Sequence, residues 1–69
     1  MKITKELLDM LQADKFFIFA SDGDAVYSSY EKSDICSAFN GFEVVSIQAD
    51  YDFNKVDGFE TALNIWVRY

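Results

Sequence analysis

From Glu43 onward the side chains follow a period of two, in two stretches separated by a loop. Val45, Ile47, Ala49, Tyr51 and Phe53 form one row against Val44, Ser46, Gln48, Asp50 and Asp52. Phe59, Thr61, Leu63, Ile65, Val67 and Tyr69 then form a second row against Glu60, Ala62, Asn64, Trp66 and Arg68. A two-residue period places alternate side chains on opposite faces of an extended strand, so this stretch reads as two strands, each with a dry and a wet face. Joined as a hairpin, the two must be in register so that both odd-numbered rows share the dry face, because a one-residue slip would bury the aspartates. Paired residue numbers must therefore sum to an even value. A tight turn at Asp57-Gly58 would pair Val56 with Phe59 and breaks that condition. A five-residue loop, Asn54 to Gly58, satisfies it and pairs Phe53 with Phe59. Asp52 then faces Glu60, Gln48 faces Asn64, and Ser46 faces Trp66.

The first half of the chain supplies the other elements. Ile3, Leu7, Leu8 and Leu11, with Met10, recur at helical spacing, and Thr4 is placed to cap a helix running from about Lys5 to Ala13, with an Ile3 to Leu8 staple. Lys15-Phe16-Phe17-Ile18-Phe19-Ala20 is an apolar run of strand formers, and Asp22-Gly23 favours a two-residue turn into a second strand, Ala25 to Tyr30. In that hairpin Phe17, Phe19 and Val26 share one face and Phe16, Ile18 and Tyr27 the other, so both faces are apolar and one is open to a partner or a second copy. Ser33 as N-cap and Gly41 as left-handed C-cap enclose a short helix, Asp34 to Phe39, with Ile35 and Phe39 one turn apart. The order α-β-β-α-β-β predicts a single α+β domain spanning residues 1–69, an antiparallel four-stranded sheet with two short helices on one face. The last strand, ending at Tyr69, is expected to leave an open sheet edge.

Composition narrows the function classes. The chain has 69 residues, 51% of them hydrophobic, and its 12 acidic against 6 basic side chains give a net charge of −6. A direct nucleic-acid binder needs the opposite charge. With no histidine and one cysteine, Cys36, the common zinc sites, histidine-based triads and disulfide frameworks are excluded. Gly23, Gly41 and Gly58 are too widely spaced for a phosphate-binding loop. No signal-peptide run or stretch of roughly 20 apolar residues occurs, which points to a cytoplasmic protein with no membrane partner and a reduced Cys36. Cys36 reads as a small buried hydrophobe rather than a nucleophile. No cofactor is expected, and so small a domain has little volume for a catalytic cleft.

The features left over are acidic and aromatic. In the derived register Asp50, Asp52 and Glu60 gather on the wet face near the loop that carries Asp57, although like charges placed opposite one another cost stability. The calcium-loop pattern is absent. Carboxylates at alternate strand positions stand roughly 7 Å apart, comparable with two steps of a nucleic-acid strand, so such a face can imitate a row of phosphates for a basic protein. Trp66 lies on the same nominal face, either as an interface anchor or packed against the aromatics of the other hairpin. Asp22 and Asp24 repeat the acidic theme at the first turn, and Tyr27 follows them. A solvated face that keeps an apolar domain soluble explains the acids equally well.

The reading that uses most of these features is a non-catalytic inhibitor or adaptor that binds a basic, nucleic-acid-handling protein through Asp50, Asp52, Glu60, Trp66, Asp57, Asp22, Asp24 and Tyr27. In size, charge and composition the chain is similar in style to phage-encoded DNA-mimic anti-restriction and anti-CRISPR inhibitors, a likeness that covers no alignable segment and transfers no residue. The alternative is a structural or assembly module that forms a homodimer or docks on a larger complex through the apolar hairpin and the terminal strand.

Overall fold

Two hairpins lie side by side, and each contributes one strand to the middle of the sheet. A computed structural model describes residues 1–21, 24–54 and 58–68. In chain order the elements are α1 (Lys5–Met10), β1 (Lys15–Ala20), β2 (Ala25–Ser29), α2 (Lys32–Phe39), β3 (Glu43–Asn54) and β4 (Gly58–Arg68). The four strands run in the spatial order β2-β1-β4-β3. Both hairpins are antiparallel, while β1 and β4 pair in parallel, from Lys15 opposite Ala62 to Ala20 opposite Val67. The α+β order is as the sequence implies, and the one parallel pair makes the sheet mixed. The terminal strand β4 lies inside this sheet, so the open edge expected of it is not there. The edges are β2 and β3.

The second hairpin has the derived register: Phe53 opposite Phe59, Asp52 opposite Glu60, Gln48 opposite Asn64, and Ser46 opposite Trp66. One further pair, Asn54 with Gly58, extends the ladder into the two ends of the expected loop. A bulge between Val44 and Ser46 shifts the pairing there and leaves Val45 half exposed. In the first hairpin a bulge at Ile18/Phe19 changes the phase, and Ala20 N–H donates to the Asp24 carbonyl at 2.8 Å. Three residues therefore separate these partners instead of two, and the Asp22-Gly23 turn itself lies outside the described residues. The same bulge moves Val26 away from the face of Phe17 and Phe19, into a groove with Phe39, Phe42 and Val67.

Both helices cover one face. Ile3, Leu8 and Ile35 from the helical layer meet Phe16 and Ile18 of β1 and Ile65 and Val67 of β4 in a core whose members are at most 4% exposed. Thr4 caps α1, its Oγ1 accepting from Leu7 N–H at 3.1 Å. The helix stops at Met10, short of the expected Ala13, because the chain must extend to join the sheet. Leu11 is already extended, and Asp14 N–H reaches the Thr61 carbonyl at 3.1 Å while Asp14 Oδ2 accepts from Thr61 N–H at 3.2 Å. Helix α2 starts at Lys32, so Ser33 lies inside it and is not its cap. Glu31 holds the cap position without a side-chain cap bond, and Ser29 at the end of β2 braces the approach: its Oγ accepts from Glu31 N–H at 3.0 Å and donates to Asp34 Oδ2 at 3.0 Å. Past α2, Gly41 takes φ +86°, the left-handed conformation that glycine adopts without the Cβ penalty. Its N–H donates to the Ile3 carbonyl at 2.9 Å, tying the chain start to the beginning of β3.

Candidate functional site on the helix-free sheet face

Strand β1 is apolar on both faces, as interior parallel strands are when both faces are covered. The helices cover only the face of Phe16 and Ile18. On the other face Phe17 and Phe19 of β1 stand beside Trp66 of β4, all three partly exposed. Phe19 stacks on the indole of Trp66 with ring centroids 4.8 Å apart and 17° between planes, and Phe17 lies 6.5 Å from Phe19. The stack crosses the seam between the hairpins, at the register pair Phe19 opposite Trp66. Trp66 thus packs against the first hairpin's aromatics and still contributes to the uncovered face.

One end of the strip is closed by polar groups, of which sequence reasoning singled out Glu60 alone. Lys15 Nζ sits 4.7 Å from the Phe17 ring centroid and 5.2 Å from that of Tyr30. Tyr30 follows the last residue of β2 and reaches over β1 to β4, where its hydroxyl donates to Glu60 Oε1 at 2.9 Å. Glu60 is only 7% exposed as a result. This corrects the expectation that Glu60 joins a solvent-facing acidic row: a carboxylate covered by a tyrosine and held by its hydroxyl is not offered to a partner. The period-two pattern assigns Glu60 to the right face but carries no information on what lies over it.

The remaining acids divide. Asp50 is exposed, its Oδ2 accepting from Asn64 Nδ2 at 3.3 Å and its Oδ1 from Tyr51 N–H at 2.8 Å. Asp52 lies opposite Glu60 along the ladder, as derived, with only its backbone described. Asp24 is exposed beside the first turn, and Asp22 and Asp57 lie outside the described residues. Tyr27 is on the helix side, its ring 5.6 Å from that of Phe39, and so does not join Trp66 and Asp50. The structure therefore brings together Trp66, Asp50 and the backbone of Asp52, with Phe17, Phe19 and Asn64. Sequence reasoning had Phe17 and Phe19 on one apolar face and offered packing of Trp66 against the other hairpin's aromatics as one of its readings, without specifying Phe19, because the pairing between hairpins has no local pattern.

The expected dry row of the second hairpin is dry only where the helices reach. Tyr51 and Phe59, on the helix side of the sheet, are 74% and 73% exposed because this hairpin extends past the helical layer. Among the described residues there is no group of three or more histidine, cysteine or acidic side chains placed to hold a metal ion, and no helix is long and apolar enough to cross a membrane. No family model, curated protein or solved structure matches this chain.

Proposed function

We propose that this chain is a non-catalytic protein-binding module of the cytoplasm that docks on a basic, nucleic-acid-handling protein and blocks it, using the helix-free sheet face. What carries the reading is the uncovered strip Phe17, Phe19 and Trp66, centred on β1, whose composition suits burial on both faces. Aromatic side chains at the centre of a patch with polar groups at its rim are the usual makeup of a protein interface. The rim here is acidic on the β3 side, through Asp50 and the position of Asp52, and the whole chain carries −6. That charge favours a basic partner and works against pairing with a second copy of itself. With Glu60 withdrawn under Tyr30, the face is an aromatic centre with an acidic margin rather than a full row imitating phosphates.

The test is capture from cytosolic lysate on immobilised protein, comparing the native chain with Phe17→Ser, Asp50→Asn and, as a helix-side control, Tyr51→Ser. The expected result is a basic protein that elutes as salt rises, is lost with Phe17→Ser, weakens with Asp50→Asn and survives Tyr51→Ser. Retention that ignores the first two substitutions, or recovery of only the chain itself at high salt, overturns the proposal.

A further inference from the structure

One side of the Trp66 indole is occupied by Phe19. Its other side looks across to β3, since Trp66 lies opposite Ser46 in the ladder. There a groove of about 360 Å³ runs along the helix-free face, lined by Ser21, Val45, Ser46, Ile47, Gln48 and Trp66. The bulge at Val45 widens the strand at this point, and Ser46 and Gln48 are both exposed. Two residues beyond Gln48 stands Asp50, roughly 7 Å farther along the strand, with its carboxylate drawn toward Asn64.

From this geometry we infer that the groove between Trp66 and β3 takes an arginine side chain of the partner protein, with the guanidinium flat on the indole. The inference rests on the docking reading above and names the chemistry of its central contact. A planar cation stacks on an aromatic face and tryptophan is the strongest such face, while the Ser46 hydroxyl and the Gln48 carboxamide oxygen supply acceptors at the edge of the plane for its fork of N–H donors. Asp50, outside the groove lining but on the same face, adds a negative charge two residues along β3 from Gln48. The same sheet face already holds one cation on aromatic rings, Lys15 over Phe17 and Tyr30. Lysine, a compact charge without the planar fork, uses fewer of these contacts.

Trp66 is the only tryptophan, so its single indole N–H resonance reports on this groove directly. The chain is titrated with hexa-arginine and hexa-lysine peptides of equal charge. The expected result is a shift of the Trp66 indole signal with the arginine peptide and an affinity about tenfold above that for lysine. Gln48→Lys, at an exposed site, puts a competing cation in the groove and is expected to remove that preference. Gln12→Lys, the same change at an exposed site on the helix side, is expected to keep it. Equal affinity for the two peptides, an unmoved indole resonance, or equal effects of the two lysine substitutions overturns the inference. If lysate capture stays dependent on Phe17 while the peptides show no preference, only the arginine groove falls. If capture does not depend on Phe17, the docking reading falls as well.

Discussion

Trp66 stacks on Phe19 across the parallel seam, 4.8 Å between centroids and 17° between planes, and this contact joins the C-terminal hairpin to the first one on the face without helices. Removing the ring by Phe19→Ala takes away an aromatic pair contributing roughly 0.5–1.5 kcal/mol together with the burial of a half-covered side chain, for an expected loss of about 2 kcal/mol. Urea unfolding measures the loss, and the single tryptophan's emission is expected to move to longer wavelength in the folded variant as the indole becomes more solvated.

Ile65 is fully buried at the centre of the helix-covered face. Ile65→Val is expected to cost about 1 kcal/mol and Ile65→Ala roughly 3–4 kcal/mol, as the cavity adds to the lost transfer energy. A domain of this size holds only about 5 kcal/mol in total, so the alanine variant is expected to keep about 1–2 kcal/mol and to melt well below the valine variant.

Tyr30 and Glu60 form the polar clasp over the end of the aromatic strip. A hydrogen bond to a charged group contributes roughly 1.5–3 kcal/mol, and the half-exposed tyrosine places this one at about 1.5 kcal/mol. Tyr30→Phe is expected to cost that amount in chemical denaturation. A double-mutant cycle with Glu60→Gln is expected to show coupling of about 1 kcal/mol, and additive single effects would contradict the clasp.

Gly41 has φ +86° with nothing within 4 Å of the position a Cβ would take. The expected cost of Gly41→Ala is therefore backbone strain without a clash, about 1–2 kcal/mol. Gly41→Asn is expected to cost less, since asparagine tolerates this conformation better. Equal stability of the glycine and alanine forms would contradict the left-handed geometry at the end of α2.

The elements legible in the sequence are those set by neighbouring residues. Alternation together with a five-residue loop gives the pairing of Phe53 with Phe59 and of Ser46 with Trp66, the run Lys15–Ala20 is a strand end to end, and Gly41 marks the close of α2. What was not legible depends on how distant parts meet. No local pattern indicates that β1 and β4 pair in parallel, and that pairing is what puts β4 inside the sheet and Trp66 against Phe19. Glu60 has the pattern of a wet-face acid, and nothing in that pattern shows that Tyr30 reaches it from the other hairpin. Bulges at Ile18/Phe19 and Val44/Ser46 likewise moved Val26 and Val45 off the rows that strict alternation assigned them.

The most direct test of the docking face is side-chain chemical-shift mapping on labelled protein titrated with the captured partner. The account predicts that the ring signals of Phe17, Phe19 and Trp66 shift together while those of Ile3, Leu8 and Ile35 in the helical layer, and of the exposed Tyr51 and Phe59, stay in place. Shifts concentrated on Tyr51 and Phe59 or on the helices, with the Trp66 indole unmoved, would contradict it.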